Sequence, residues 1–343
     1  MPPLVSIVIA NHNGGDLVER CLRSVLRTSF ASFEVIVVDN ASSDGSPESI
    51  VSRFPKVKLI RLSRNLGYAT ANNIGIREAN GKYLVLLNSD TEVEPEWLIN
   101  LLEVAERRPD AAFLQAKILF LDRPTVINSA GNYIHFAGFG VCRGIGTPDR
   151  RQYDQIREIG YASGACVMAS REALRKIGLL DEIFFAYGED KDWGWRAKML
   201  GYRSLFVPIA RVYHKWSAVL GWSPKKMYLL ELERLVSIWK NHSTRLLIML
   251  VPLLLLVESA VLAHSIIKGW WTFKILAYAH ALSLRHEISK RRKELTLRRK
   301  IPDSQLIREF VYEIKHPYVG RLAIPLNRLC KLYARLLSAE AVS

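Results

Sequence analysis

Lys82-Tyr83-Leu84-Val85-Leu86-Leu87-Asn88-Ser89-Asp90 runs apolar from Tyr83 to Leu87 and then stops at polar residues. A short apolar run bounded by turn residues reads as a buried strand. The run ends in a carboxylate, Asp90, followed at once by Thr91 and Glu92. In open α/β sheets, ligands sit beyond the carboxyl ends of the strands. A hard cation such as Mg²⁺ takes one or two protein carboxylates and completes its shell with phosphates and water. Asp90 is therefore a candidate to hold a metal against a diphosphate. Its alternative is a polar strand end that caps the next helix.

The chain upstream repeats this pattern. Leu4–Ala10 is a β-branched-rich strand followed by the loop Asn11-His12-Asn13-Gly14-Gly15. Asp16 caps a helix in which Leu17, Cys21, Leu22, Val25 and Leu26 recur at helical spacing. Glu34–Val38 is a second strand, ending in Asp39-Asn40, and Pro47 suits the first position of the helix after it. Val57–Leu62 is a third strand, with the loop Arg64-Asn65-Leu66-Gly67-Tyr68 and a helix over Ala69–Glu78. After the Lys82 strand, Pro95 opens a helix to about Arg107. Strands alternating with helices predict parallel βαβ units. Asn11–Asn13, Asp39, Arg64-Asn65 and Asp90 then fall on one edge of the sheet, where together they make a site.

Residues 5–13, 35–46, 64–75 and 86–91, which contain Ala10-Asn11-His12-Asn13, Val38-Asp39-Asn40, Arg64-Asn65-Leu66-Gly67 and Asn88-Ser89-Asp90, resemble the family 2 glycosyltransferases. The likeness is nearest to the rhamnosyltransferase-like branch that builds surface glycans, and it covers roughly residues 4–240. It implies an α/β GT-A fold: a Rossmann-like, mostly parallel sheet flanked by helices that binds a nucleotide-diphosphate sugar and Mg²⁺ or Mn²⁺. By this resemblance Asp39 binds the donor's base, and Ala10, Asn11, His12 and Asn13 flank it. Asn65 lies near the nucleotide. Asn88, Ser89 and Asp90 stand at the family's D-x-D motif, and Asp90 is its metal-binding carboxylate. Two departures matter. His12 stands where many members carry Tyr, which leaves the base open. Asn88 replaces the first Asp, so Asp90 needs a second ligand.

Farther on, Ala111–Phe120 reads as a strand, and residues 128–146 as a Gly-rich loop, either over the site or an ordinary surface excursion. Ala162–Met168 reads as a strand, and Ser170 caps a helix over Arg171–Ile177. The resemblance implies that Ser163 and Gly164 let backbone approach the donor sugar. Glu189, Asp190 and Asp192 open the next helix. Acids in a first turn are also plain helix-dipole chemistry, stabilising by about 0.3–1 kcal/mol each. An inverting transfer, however, needs a base for the acceptor hydroxyl. This run resembles the family's E-D motif, which makes Asp190 the base, with Glu189 and Asp192 positioning acceptor or neighbours. Trp193 either stacks on a sugar or packs in the core. His214, just after a strand, resembles a metal ligand that would join Asp90; its alternative is a core or surface histidine.

The chain has 343 residues, 49% hydrophobic and 24% charged, so a packed core is expected. Its net charge of +15 implies an acidic partner. From Lys240 onward there are 18 Lys and Arg against 7 Asp and Glu, so most of that charge is C-terminal. The four cysteines are scattered and predict neither a disulfide framework nor a zinc site. Leu4–Ala10 is too short for a signal peptide, and a cytoplasmic catalytic part is expected.

The expected division is a catalytic domain over 1–240 and a helical region over 241–343. In the latter, Leu246–Val257 and Val261–Ile267 are apolar, with Glu258 between them. A charge at the centre of a span costs roughly 2.5–3.5 kcal/mol. Lys268, Trp270, Trp271 and Lys274 resemble interface anchors, and Lys290–Lys293 and Arg298–Lys300 suit anionic headgroups. The expected arrangement is helices lying in the cytoplasmic face of the membrane; a span, or a soluble cap or homo-oligomer face, are the alternatives. No groove-reading nucleic-acid motif is present.

These readings predict transfer of one sugar per cycle to a lipid-linked or glycan acceptor, since no Q-x-x-R-W is present. The alternatives are a hexosyl- or mannosyltransferase and an inactive nucleotide-sugar-binding partner, which donor hydrolysis would separate.

Overall fold

The structure, a computed structural model, describes residues 2–216, 223–314 and 327–333. The first half alternates as the sequence predicts: β1 (Val5–Asn11), α1 (Gly15–Val25), β2 (Phe33–Asp39), α2 (Ser46–Arg53), β3 (Lys58–Arg61), α3 (Tyr68–Glu78) and β4 (Tyr83–Leu87). Then come β5 (Thr91–Val93), α4 (Trp97–Arg107), β6 (Ala111–Phe120), β7 (Arg123–Ser129), β8 (Asn132–Ile134), β9 (Gly140–Cys142), β10 (Arg157–Ile159), β11 (Cys166–Ser170), α5 (Arg171–Ile177), α6 (Glu189–Met199) and β12 (Arg203–His214).

One mixed sheet runs β10-β12-β6-β11-β4-β1-β2-β3, with β5 on β12 and β7 on β6. β3, β2, β1 and β4 pair parallel, while β11 enters antiparallel between β4 and β6. β4 is buried along its whole length, because strands bond both its edges and helices cover the sheet. Val5, Ile7 and Ile9 of β1 share a core with Val18, Cys21, Leu22 and Val25 of α1 and with Trp97 and Leu101 of α4. Each fully buried side chain of this size stabilises by about 1.5–3 kcal/mol.

Register positions the strand ends. Asn11 pairs with Asp39, Asp39 with Arg61, and His214 with Thr91. The polar residues after β1, β2, β3 and β4 thus share one edge.

Two sequence expectations change. Residues 162–165 do not extend β11, which starts at Cys166; Ser163-Gly164 forms a turn beside it. Residues 128–146 are not an ordinary surface excursion, and Asn128 among them touches His214. They form the end of β7 and the paired strands β8 and β9, and Ile134, His135, Phe136 and Ala137 are buried.

The chain divides into two units. The first holds residues 1–132, 142–197 and 202–218; the second holds 133–141, 198–201 and 219–343. The helical unit therefore begins before residue 241 and takes α7 (Pro224–Asn241) with it. It continues with α8 (Thr244–Ile267), α9 (Trp271–Ser283), α10 (Arg285–Arg298) and α11 (Asp303–Glu309). Ser223 and Ser243 cap α7 and α8 by accepting backbone N–H groups, and Pro224 opens α7. The two apolar runs around Glu258 are one helix, α8, with Pro252 inside it.

Glu258 is not left bare. Its carboxylate meets Arg234 at 2.6 Å, Lys274 at 3.0 Å and the Tyr278 hydroxyl. Glu231 completes the cluster, 2.8 Å from Arg234 and 2.7 Å from Lys274. Lys274 is fully buried, so it is an internal counter-ion rather than the surface anchor its sequence position implies.

Candidate functional site

The first group of site residues lies at the ends of β1 and β2. Asn11 and Asp39 are buried, and the Asn11 amide donates to Asp39 Oδ1 at 3.0 Å and to Ser46 Oγ at 3.0 Å. The other Asp39 oxygen accepts the Ser42 N–H. Asp39 is thus held in one orientation at the strand edge. Asn13 holds a left-handed φ of 53° and exchanges hydrogen bonds with Ser42 and Ser43. His12 Nδ1 is 2.9 Å from the Asn40 carbonyl; a carbonyl only accepts, so this nitrogen carries the hydrogen. Asn40 in turn donates to Asn65 Oδ1 at 2.9 Å. Ala10, Asn11, His12, Asn13, Asp39 and Asn65 are therefore brought together as the sequence predicts.

The second group lies beyond β4. The β5–β12 register sets His214 beside Asp90, with Nε2 3.2 Å from Asp90 Oδ1. Asn88 Nδ2 is 3.4 Å from the same nitrogen, and His214 Nδ1 is 3.1 Å from Asn128 Oδ1. Asn88 Oδ1 is buried without a hydrogen-bond partner. Ser89 stands between Asn88 and Asp90, half-buried. Among the described residues, no group of three or more His, Cys, Asp and Glu side chains gathers that could hold a metal. The set that does gather is one carboxylate, one imidazole and one amide oxygen lacking a donor. That set fits a hard divalent cation, which accepts oxygen and imidazole ligands and fills its shell from substrate. Cys21 lies beneath the group, its thiol bonded to the Asn88 carbonyl. Burial pushes that thiol up to about 12, so it stays a neutral packing group.

The third group opens α6. Asp190 Oδ2 accepts the Gly164 N–H at 2.9 Å, and Oδ1 accepts its neighbour Lys191 N–H. Burial raises the Asp190 carboxyl above the usual range against the pull of these bonds. Gly164 is also the point where the Tyr68 hydroxyl lands, donating to its carbonyl at 2.9 Å. A Cβ on Gly164 would lie 3.2 Å from that hydroxyl, a tight approach that the tyrosine would have to yield to. Gly67, just before Tyr68, holds φ +86°, and a Cβ there would strike the Phe185 carbonyl at 2.4 Å. The β3–α3 loop and the loop before α6 close together only because that side chain is missing.

Tyr68 joins the second and third groups. Burial drives its phenol well above the ordinary value, and the charges of Glu189, Asp190 and Asp90 add to the shift. Tyr187 is pushed up to about 12 by burial, then Glu189 and Asp90. The negative charges of Asp90 and Glu189 thus act on both tyrosines, and a cation would relieve such a field.

Asp192 does not join them. It is fully buried and ion-paired to Arg196 at 2.8 Å, and Arg196 holds the Ile177 and Leu179 carbonyls. Of the two expected roles it takes the positioning of neighbours, tying α6 through Arg196 to the end of α5. Trp193 is a core residue too, tilted on Phe113 with ring centroids 4.4 Å apart.

Sequence reading missed Tyr68, Gln115 and Asn128 as site-building residues. Gln115 Oε1 accepts the Ser163 N–H at 2.8 Å and its amide donates to Ser129 Oγ at 2.9 Å, which fixes the turn that carries Gly164. A polar residue inside the apolar strand Ala111–Phe120 was the available signal.

Against known proteins, the family model "Glycosyl transferase family 2" matches residues 6–178, just over half of the chain. An N-acetylglucosaminyl-diphospho-decaprenol L-rhamnosyltransferase of Mycobacterium tuberculosis is 30% identical over 246 residues, covering 65% of this chain and 80% of that protein. Among solved structures, GalNAc-T7 with UDP, GalNAc and Mn²⁺ matches with TM-score 0.58 and 19% identity, over 70% of this chain and 48% of that one. TarS of S. aureus matches with TM-score 0.52 and 18% identity, over 99% of this chain and 54% of that one. The chain spans about half the length of these two structural neighbours, whose likeness is one of fold. With the strand-edge site and the family match together, the chain belongs to glycosyltransferase family 2 and is a glycosyltransferase of GT-A fold, similar to rhamnosyltransferases.

Proposed function

We propose that this glycosyltransferase is inverting and metal-dependent, and that it moves one rhamnosyl residue from a nucleoside-diphosphate donor to a lipid-linked saccharide. The observations that carry the chemistry are the Asp90–His214 pair at 3.2 Å beyond β4 and the Asp190 carboxylate held by the Gly164 N–H at the start of α6. The acceptor and sugar rest on the M. tuberculosis relative, whose name specifies a decaprenol-linked substrate and L-rhamnose.

Asp39 and the loop from Ala10 to Asn13 take the base, and Asn65 flanks the nucleotide. Asp90 and His214, with Asn88, would hold Mg²⁺ or Mn²⁺, which supplies Lewis-acid stabilisation of the charge on the departing diphosphate. Asp190 removes the acceptor proton as the hydroxyl attacks the anomeric carbon in line. Two backbone N–H groups orient its carboxylate, and burial raises its proton affinity. Both effects suit a base that must take a proton from a hydroxyl.

The enzyme works at the cytoplasmic face of the membrane, with α8 and α9 lying in the interface. Among the described residues, α8 is the one helix long and apolar enough to cross a bilayer by length and composition. The Glu258 ion cluster favours an in-plane helix, because a span would draw that carboxylate away from its counter-ions.

The test is transfer to a polyprenyl-diphosphate saccharide with a panel of nucleotide-sugars and Mn²⁺ or Mg²⁺. Thermal shift should select one donor. Donor binding without transfer to any lipid-linked acceptor would count against the reading.

A further inference from the structure

His214 lies on β12 and Asn128 on β7, with β6 between the two strands. The β6–β7 register slips at this place: Ile118 faces Ser129, but Leu119 faces Ile127. Asn128 is the extra residue. A bulge of this kind leaves one residue out of the ladder and re-aims its side chain. Here the result is Asn128 Oδ1 at 3.1 Å from His214 Nδ1, with both residues buried.

An amide oxygen has no hydrogen to give. His214 Nδ1 therefore carries the hydrogen and donates it, and Nε2 is left as the acceptor nitrogen, 3.4 Å from the Asn88 amide nitrogen. That nitrogen faces Asp90 Oδ1 at 3.2 Å, and the oxygen of the neighbouring Asn88 amide has no hydrogen-bond partner. The imidazole lone pair and the carboxylate oxygen are both acceptors, and at 3.2 Å they repel one another until a cation sits between them.

We propose that Asn128 is a positioning residue for the metal site: it sets the tautomer and ring orientation of His214 so that Nε2 joins Asp90 and Asn88 in one ligand set. This inference rests on the metal-dependent reading above. A metal-binding His commonly donates its other ring N–H to a fixed acceptor, and loss of that acceptor lowers metal affinity about 10–100-fold.

The test reads metal binding without turnover. Mn²⁺ affinity in the presence of nucleoside diphosphate is measured for the wild type, Asn128→Leu and Asn128→Asp. The Leu variant fills the space without an acceptor and should bind Mn²⁺ about 10–100-fold more weakly. The Asp variant restores the acceptor and should bind within about threefold of wild type or more tightly. Nitrogen-15 NMR of the metal-free wild type, with the His214 signals identified from His214→Gln, should show hydrogen on Nδ1. This measurement stands even where the Leu variant fails to fold. Equal Mn²⁺ affinity in folded wild type and Asn128→Leu overturns the proposal, as does hydrogen on Nε2 in the neutral wild-type ring. A wild type that binds nucleotide but no Mn²⁺ overturns the metal-dependent reading and this inference with it. A wild type that binds Mn²⁺ normally alongside an unaffected Leu variant overturns the inference alone.

Discussion

In the first unit, β1 turns Val5, Ile7 and Ile9 into an apolar core, and its polar groups collect at the strand ends. In the second unit, α7 buries Glu231, Arg234 and Lys240, and α9 buries Lys274. Ile248, Val251 and Leu255 of α8, with Trp271, Ile275 and Leu276 of α9, are exposed instead. The first pattern is what water selects, since apolar burial contributes about 25 cal/mol per Å². The second loses that gain on its outer faces and adds the desolvation of charged groups inside. Such an arrangement is favourable where the outer faces meet lipid, and charges satisfied internally are then a requirement. The contrast supports a watery cleft for the chemistry and a lipid surface for the helices.

The sharpest way to break the first half of the comparison is Asp190→Asn. It keeps the shape of the carboxylate and removes the base, so turnover should fall about 10²–10⁴-fold while nucleotide binding stays. Single-turnover assay alongside calorimetric nucleotide titration checks this; normal turnover excludes Asp190 as the base. The pH profile sharpens the same point. Burial raises this carboxyl, and only its ionised form accepts the proton. Turnover should therefore fall as pH drops through a value above the ordinary aspartate range of about 4. An acid limb at the ordinary value would mean that the buried carboxyl is not the group that titrates.

For the second half, Arg234→Met strikes the ion cluster. It leaves Glu231 and Glu258 to share the Lys274 charge, with the Tyr278 hydroxyl still on Glu258, and should cost about 3–5 kcal/mol in unfolding measured with lipid present. Replacing all four charges with apolar residues of similar size should cost far less, because no ion is then stranded. Burial acts to raise Glu231, but the Arg234 and Lys274 charges override it and hold the carboxyl at about 2. A depressed carboxyl contributes stability above its unfolded value of about 4.5, and that contribution is lost as pH falls towards 2. Val251→Asp and Leu255→Asp test the outer face. Each should weaken binding to anionic vesicles by about 1.5–3 kcal/mol in flotation, with transfer to a soluble acceptor unchanged. Unchanged flotation would mean that this face meets something other than lipid.

The parallel half of the fold was legible because each strand is a short β-branched run closed by turn residues, as in Leu4–Ala10 and Glu34–Val38. Position in that alternation also gave Asp39, Asn65 and Asp90. The antiparallel half was not legible in the same way. β8 and β9 are only three residues each, and this region is tied to partners distant in sequence by the Gln115–Ser129 side-chain bond and the Asn132–Tyr161 backbone bridge. Asp192 looked like its neighbours Glu189 and Asp190, since one helical turn presents acids to several directions. Only the position of Arg196 separates the buried anchor from the cleft pair. Lys274 misled for a similar reason: a lysine beside tryptophans looks like an interface anchor, and its two glutamate partners lie on other helices.

The smallest effect is expected at Lys58–Glu78, where the two charges meet at 2.7 Å with both side chains about half exposed. Its geometry is as good as that of Lys274 with Glu231, also 2.7 Å apart. Distance is therefore matched, and burial is the variable. Water already solvates both exposed ions, and holding two long side chains together costs entropy, so such pairs contribute about 0–1 kcal/mol. A double-mutant cycle on Lys58 and Glu78 should give a coupling within that range, and added salt should screen it. The matching cycle on Lys274 and Glu231 should give several times more and respond little to salt. Equal couplings in the two cycles would mean that water reaches the helical cluster freely, and the case for a lipid-facing outer surface would lose its internal support.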